Sequence, residues 1–267
     1  MKFFSFLESA VNSNSSLLCI GLDPIPSLMP LGITVLDFNK AIIDATADMV
    51  CAYKPNLAFY ETEGERGWET LKQTIEYIPK NIPVIADAKR GDIGNTSQAY
   101  AKALFEGLGA HAVTVNPYLG MDSVEPFTNY CDKGVFILCL TSNQGADNFQ
   151  KLTVKKDSVE MKLYEQVGMY AEQWNKNNNI GIVVGATHPS EMRSLRKAHP
   201  NMTFLVPGIG TQGGDIKSTM SSGLRTDGKG IIVNSSRQIL YASNGPDFAK
   251  EAARIAKTLR NELNIYR

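Results

Sequence analysis

A run of alternating charges in the segment DAKRGDIGNT, residues 87–96, is the part of the sequence that most directly indicates chemistry. Asp87 and Lys89 are two residues apart, a spacing that on a β-strand places both side chains on one face. Asp92 follows three residues later. Burial costs several kcal/mol per ion unless the charges pair and hydrogen-bond, so these side chains are predicted to form a network of ion pairs. Such networks are typical of active sites.

A purely structural interpretation of the same segment stays open. Asp87 and Lys89 would then form an ordinary ion pair, and Asp92 would favour the start of a helix through its negative charge. Asn95 or Thr96 would be the N-cap of that helix. The two interpretations differ in whether further charged residues meet this pair.

Short apolar, β-branched runs along the chain predict the elements that position these charges. There are eight of them, at residues 17–22, 50–53, 83–88, 110–115, 134–141, 180–186, 203–207 and 230–233. Stretches with helical periodicity lie between or after them, at residues 38–49, 70–78, 96–105, 159–174 and 247–263. Strand followed by helix, repeated in this way, predicts an α/β protein whose parallel sheet closes as a (β/α)8 barrel, the TIM barrel.

The active site of such a barrel lies at the C-terminal ends of its strands. Asp23 follows the first predicted strand, Lys54 follows the second, and the third ends in Asp87 and Lys89. Together with Asp92, the residues Lys54, Asp87 and Lys89 are expected to bring four charges into one mouth of the predicted barrel. This favours a functional site over an isolated ion pair.

Two segments near the C-terminus have the composition of a phosphate-binding site. PGIGTQGGD, residues 207–215, follows the seventh predicted strand, and NSSRQI, residues 234–239, follows the eighth. Glycines let the main chain approach an anion, and Arg237 supplies a fork of donors. Phosphate sites of many barrels lie after these two strands. Simple tight turns are the alternative for any one of the glycines.

Organisation and composition restrict the classes of function. A single domain, residues 1–267, is predicted, with an N-terminal helix and a longer loop after strand 5, at about 142–157. That loop either covers the barrel mouth or is a tolerated insertion. Lys plus Arg and Asp plus Glu each number 27, so the formal net charge is zero and gives no field that attracts nucleic acid or an anionic membrane. No apolar run approaches the roughly 20 residues of a membrane helix.

The cysteines and histidines predict no metal site. Cys19, Cys51 and Cys139 lie in apolar runs, and neither they nor Cys131 have metal-ligand spacing. The three histidines are scattered along the chain. Buried free thiols are typical of a reducing compartment, so a cytoplasmic location is expected.

At these same residues the chain resembles the orotidine 5'-phosphate decarboxylase family, in particular the branch whose third-strand motif is DAKRGDIGNT. The resemblance extends over nearly the whole chain, through CIGLDP at 19–24, YKPNLAFYETEGERGW at 53–68, TVNPYLGMDS at 114–123, TSNQGA at 141–146 and PGIGTQGGD at 207–215.

The resemblance implies decarboxylation of orotidine 5'-monophosphate to uridine 5'-monophosphate, the final step of de novo pyrimidine nucleotide synthesis, without a cofactor or metal. It implies a catalytic network of Lys54, Asp87, Lys89 and Asp92, in which Lys89 stabilises and protonates a carbanion at C6. It also implies a substrate-binding set of Asp23, Ile93, Thr96, Ser142, Gln212, Ser236 and Arg237.

Within this set the family pattern suggests separate tasks. Asp23 and Lys54 would bind the ribose hydroxyls, and Ser142 would contact the pyrimidine from a loop that closes on the substrate. Gln212, Ser236 and Arg237 would bind the phosphate, although some relatives have glycine at the position of Ser236. The family works as a homodimer, which implies that Asp92, Ile93 and Thr96 reach the partner's site.

Three other functions remain as alternatives. A related sugar-phosphate decarboxylase uses Mg²⁺ and an acidic residue at the end of strand two, where this chain has Lys54. A Schiff-base aldolase needs an uncharged lysine, whereas the negative charges of Asp87 and Asp92 favour the charged form of Lys89. The third alternative is a nucleotide-binding barrel without catalysis.

Overall fold

Eight parallel strands surround the core in the computed structural model, which describes residues 1–156, 158–210 and 213–267. The strands are β1 (Leu18–Leu22), β2 (Ala52–Pro55), β3 (Ile85–Arg90), β4 (Ala112–Val115), β5 (Gly134–Leu140), β6 (Ile180–Val184), β7 (Phe204–Pro207) and β8 (Ile231–Ser235). Each strand pairs with its neighbour in sequence, and β1 pairs with β8. Single bridges join Tyr53 to Val84 and Asn56 to Asp87, so β2 and β3 complete the ring. The predicted (β/α)8 barrel is confirmed.

Helices cover the outside of the barrel. They are α1 (Phe3–Ser13), α2 (Val35–Thr46), α3 (Ala58–Glu61), α4 (Gly64–Tyr77), α5 (Gly94–Lys102), α6 (Met121–Thr128), α7 (Leu163–Trp174), α8 (Pro189–Ala198), α9 (Ile216–Gly223), α10 (Arg237–Leu240) and α11 (Phe248–Asn264). Because helices lie on one face of the sheet and packed side chains on the other, β1, β6 and β8 are buried along their whole length. In the described residues, no helix is both long and apolar enough to cross a membrane.

The N-terminal helix α1 packs against the barrel at the end where the strands begin. Phe3, Leu7 and Val11 are buried on one side of it. The Phe3 ring lies edge-on to Phe136 of β5, with 5.9 Å between ring centroids. A Cβ at Gly134, the first residue of β5, would lie 2.3 Å from the Phe3 ring, so this close packing requires glycine there. The opposite end of the barrel is left open.

The segment after β5 differs from the prediction. Residues 159–162, predicted as the start of a helix, form a strand, Val159–Lys162, that pairs antiparallel with Thr153–Lys156, and α7 begins only at Leu163. In this register Val154 lies opposite Met161, the two partly buried residues of the hairpin, and such cross-strand pairs stabilise a hairpin. The predicted loop at 142–157 therefore contains a 3-10 helix, Gln144–Asn148, and one hairpin strand. Asp157 lies outside the described residues.

The four cysteines are free, as predicted. Cys19, Cys51 and Cys139 are buried, and Cys131 is exposed. Burial raises the pKa of the Cys19 thiol to about 12, so this thiol stays protonated beneath the charged mouth of the barrel.

Candidate active site

A cavity of about 590 Å³ opens at the C-terminal ends of the barrel strands. Its floor is apolar and includes Leu138, Val183 and Leu205 from β5, β6 and β7. Its wall contains seven of the residues predicted for the site: Asp23, Lys54, Asp87, Lys89, Ser142, Ser236 and Arg237. Residues far apart in sequence thus share one polar pocket above an apolar floor, as in most small-molecule sites.

Asp87 is the centre of the charged group. Its Oδ2 accepts a hydrogen bond from Lys54 Nζ at 2.7 Å, and its Oδ1 accepts one from Lys89 Nζ at 2.6 Å. Asp87 and Lys54 are buried, whereas the Lys89 side chain is 48% exposed. One carboxylate therefore bridges a buried ammonium group and an ammonium group that faces the open cavity.

Electrostatic pairing outweighs burial at both buried ions. Burial opposes ionisation of Asp87, but the positive charges of Lys54 and Lys89 hold the pKa of this carboxyl well below its usual range. Burial also opposes the charged form of Lys54, but Asp87 and then Asp23 raise the pKa of this ammonium group above its usual value. Both groups are consequently charged at neutral pH.

The backbone of Lys89 is not that of a regular strand. Its φ is +46°, in the left-handed region that costs a non-glycine residue about 1–3 kcal/mol. The register between β3 and β4 shifts between Ala86 and Arg90. Simple strand alternation predicted the meeting of Asp87 and Lys89 in the cavity, but a bulge in β3 produces it.

Asp23 contributes an acceptor to the wall of the cavity. Its Oδ1 is buried and has no hydrogen-bond partner among the residues that the structure describes. The main-chain carbonyl of Asp23 accepts the hydroxyl of Tyr241 at 2.8 Å, which holds the end of β1 in place. Ser236 packs against the same strand, since a Cβ at Gly21 would lie 1.8 Å from Ser236 Oγ.

Three glycines of the segment after β7 have a positive φ. Gly208, Gly210 and Gly213 have φ values of +104°, +82° and +84°, a region that other residues rarely adopt. Gly214 N–H donates to the Gly208 carbonyl at 3.1 Å, which brings these two glycines together. Gln212 lies outside the described residues.

The segment after β3 carries three predicted site residues away from the cavity of its own chain. Asp92 Oδ1 accepts the N–H of Ile93 at 2.8 Å, and Asp92 does not line the cavity. Ile93 and Thr96 are exposed. Helix α5 begins at Gly94, after Ile93 as N-cap and without a side-chain capping bond. The alternative in which Asn95 or Thr96 caps this helix is therefore wrong.

Comparisons with known proteins agree with this arrangement. Residues 16–253 match the model of the Orotidine 5'-phosphate decarboxylase / HUMPS family. The chain belongs to this family. An orotidine 5'-phosphate decarboxylase of Dehalococcoides mccartyi (strain CBDB1) is 54% identical over 267 residues, which cover 100% of this chain and 99% of the relative.

Solved structures of the family have the same fold. The structure of Leishmania donovani OMP decarboxylase matches with a TM-score of 0.84 and 42% identity, over 98% of this chain and 100% of that one. Leishmania donovani UMP synthase matches with a TM-score of 0.86 and 44% identity, over 97% of this chain. The match spans 57% of the UMP synthase chain. The family assignment made on sequence motifs is thus confirmed.

Several polar residues of the cavity were not predicted from the sequence. They include Asn56, Thr114, Gln150 and Asn234. Thr114 and Asn234 are the penultimate residues of β4 and β8. The rule that identified Asp23, a polar residue at a strand end, could therefore have found them. Gln150 could not be found in this way, because it reaches the site by folding back to accept the Thr141 N–H at 2.7 Å.

The described residues do not form a recognisable metal site. Within 1–156, 158–210 and 213–267, no three His, Cys, Asp or Glu side chains are grouped so that they could hold a metal ion.

Proposed function

We propose that this cavity decarboxylates orotidine 5'-monophosphate to uridine 5'-monophosphate with protein side chains alone. The observation that carries the proposal is the buried Asp87 carboxylate held between Lys54 and Lys89 at the cavity mouth. Membership of the family and the name of the 54% identical relative support the same substrate.

The reaction needs a positive charge at one carbon atom. When the bond between C6 and the carboxylate breaks, CO₂ leaves and the electron pair stays on C6, with no adjacent carbonyl to delocalise it. The Lys89 ammonium group stabilises this pair and then donates a proton to C6, which gives the product. Because half of the Lys89 side chain is exposed, water can restore its proton before the next turnover.

Asp87 contributes in two ways. Its negative charge keeps Lys89 Nζ at a defined position, 2.6 Å from Oδ1. It also faces the substrate carboxylate, and the repulsion between the two carboxylates is relieved as CO₂ departs. The second effect requires Asp87 to stay ionised, which is consistent with its lowered pKa.

The remaining cavity residues bind parts of the nucleotide distant from C6. Asp23 and Lys54 bind the ribose hydroxyls; the unpartnered Oδ1 of Asp23 and the position of both residues in the cavity wall support this role. Ser142 contacts the pyrimidine, from a loop that closes over it. Phosphate is bound by Gln212, Ser236 and Arg237, and its binding energy stabilises the closed loop and is therefore used in the transition state.

A homodimer would complete the site. Asp92, Ile93 and Thr96 lie outside their own cavity and are exposed or half-buried, which suits residues that enter a partner's cavity. The neighbouring loop after β4 adds apolar surface, since Tyr118 is 83% exposed. These two loops touch, because a Cβ at Gly91 would lie 3.0 Å from the carbonyl of Asn116. Buried free thiols favour the cytoplasm as the location of this dimer.

A direct assay tests the proposal. Purified protein is mixed with orotidine 5'-monophosphate and excess EDTA, and the ultraviolet absorbance of the orotate ring is followed to completion. We expect loss of the orotate band with formation of uridine 5'-monophosphate. An unchanged spectrum would reject the proposal, and calorimetry with uridine 5'-monophosphate would then test for a nucleotide-binding protein. Decarboxylation that EDTA abolishes would instead indicate a metal-dependent enzyme.

A further inference from the structure

The bulge in β3 is held by one hydroxyl group from the neighbouring strand. In the parallel ladder, Ala86 pairs with Val113 and Arg90 pairs with Val115. Three residues of β3, Asp87 to Lys89, therefore lie opposite Thr114 alone. Because of this mismatch, the N–H of Lys89 has no regular backbone acceptor on β4 and needs another one.

The Thr114 side chain supplies that acceptor. The N–H of Lys89 donates to Thr114 Oγ1 at 2.9 Å, and the Thr114 hydroxyl donates its own proton to Asp87 Oδ1 at 2.9 Å. Thr114 is only 2% exposed and lines the cavity beside both residues. Since Asp87 Oδ1 also accepts from Lys89 Nζ at 2.6 Å, the three residues form a closed ring of hydrogen bonds.

This ring constrains the Lys89 side chain at two points. The backbone bond supports the left-handed conformation of Lys89, which directs the side chain back towards Asp87. The bond to Oδ1 fixes the carboxylate that in turn holds the ammonium group. Without the hydroxyl, both the direction of the Lys89 side chain and the acceptor of its ammonium group lose a constraint.

We propose that Thr114 is a positioning residue of the reaction, whose hydroxyl holds Lys89 Nζ at the site of proton transfer. The inference rests on the proposed function. Displacement of a reacting group by a fraction of an ångström slows the chemical step far more than it weakens binding of the nucleotide. Loss of the Thr114 hydroxyl should accordingly lower kcat and leave the affinity for the product almost unchanged.

The test compares variants that differ by one hydroxyl. Thr114→Val keeps the shape of the side chain but removes its donor and acceptor, whereas Thr114→Ser keeps the hydroxyl. We expect Thr114→Val to lower kcat by about 10- to 100-fold, the usual effect of losing a hydrogen bond to a charged group, and Thr114→Ser by less than about 5-fold. The dissociation constant for uridine 5'-monophosphate, measured by calorimetry, should change less than about 3-fold in both.

Thr46→Val is the control for general loss of stability. Thr46 is a buried threonine of α2 whose hydroxyl donates to the Ile42 carbonyl at 2.7 Å and lies 2.7 Å from the Tyr53 hydroxyl, outside the cavity. Thr46→Val should lower the melting temperature but leave kcat unchanged. If Thr114→Val does not fold, the pair Thr114→Ser and Thr114→Ala makes the same comparison.

Three results would overturn the inference while the proposed function stands, because the parent protein still decarboxylates its substrate. One is a Thr114→Val variant with parental kcat. Another is a Thr114→Ser variant as slow as the variant without a hydroxyl. The third is a loss of nucleotide affinity that accounts for the whole decrease in kcat/KM. A parent protein without decarboxylase activity would instead reject the proposed function and this inference with it.

Discussion

Removing the charge of Asp87 should destabilise the fold much more than removing that of Lys89. Asp87 is 8% exposed and Lys54 is 4% exposed, so Asp87→Asn leaves a buried ammonium group without its bridging carboxylate. Breaking a buried pair from one side costs about 3–5 kcal/mol. The charge of Asp23 still acts on Lys54, which places the expected loss near the lower value, about 3 kcal/mol.

The Lys89→Ala variant provides the comparison, because the Lys89 side chain is 48% exposed and Asp87 keeps its bond to Lys54. We expect a loss of only about 0–1 kcal/mol for this variant. At about 2–4 °C per kcal/mol for a chain of this size, Asp87→Asn should melt about 6–12 °C below the parent. Urea unfolding at pH 7 measures the two free energies of unfolding.

The double variant Lys54→Met, Asp87→Asn tests the cause of that destabilisation. With no buried ammonium group left, it should recover most of the stability that Asp87→Asn loses. An Asp87→Asn variant that unfolds at the same urea concentration as the parent would contradict this explanation. A Lys89→Ala variant that loses as much stability as Asp87→Asn would do the same.

Three further outcomes follow from the same geometry. Lys89→Ala should abolish turnover but still bind uridine 5'-monophosphate in a calorimeter, and substantial remaining turnover would remove Lys89 from the role of proton donor. Arg237→Ala should lower kcat/KM by at least about 100-fold, and an unchanged value would exclude phosphate binding by Arg237. An equal mixture of refolded Lys89→Ala and Asp92→Ala chains should recover about a quarter of the parental activity, because half of the dimers are mixed and each has one intact site. A mixture as inactive as its components would place Asp92 in its own chain's site, and an Asp92→Ala protein with parental activity would place it outside any site.

Stability against acid gives a fourth outcome. The pKa of Asp87 is lowered in the folded protein, so its pairing stabilises the fold above the carboxyl's ordinary pKa, and this contribution is lost as the pH falls below it. The difference in free energy of unfolding between the parent and Asp87→Asn should therefore narrow from about pH 5 downwards. Urea unfolding across this range checks the sign, and a difference that grows on acidification would contradict it.

The sequence was sufficient to predict the barrel because each strand has a local signature. Eight β-branched runs with helical stretches between them are typical of one fold, a closed parallel sheet covered by helices. All eight strands are confirmed, although β2, β3 and β4 begin two residues later than their apolar runs. The helix predicted at 159–162 is wrong, because these residues pair as a strand with Thr153–Lys156 despite their helical periodicity. The extent of a single domain over residues 1–267 stays a prediction.

Residue type and position along the chain determined which groups could form the site. Charged residues at strand ends placed Asp23, Lys54, Asp87 and Lys89 at one mouth. Glycines at 208, 210 and 213 indicated a segment whose main chain can approach an anion. The C-terminal ends of parallel strands always meet at the same end of a barrel, so the order of residues along the chain is enough to bring these groups together.

Only the tertiary structure decided how those groups are held. The left-handed backbone of Lys89 and its ring with Asp87 and Thr114 depend on hydrogen bonds between β3 and β4, which no pattern within either strand encodes. The exclusion of Asp92 from its own cavity is likewise set by the path of the chain after the bulge. Periodicity reports which face a side chain prefers, whereas its exact orientation depends on contacts with residues distant in sequence.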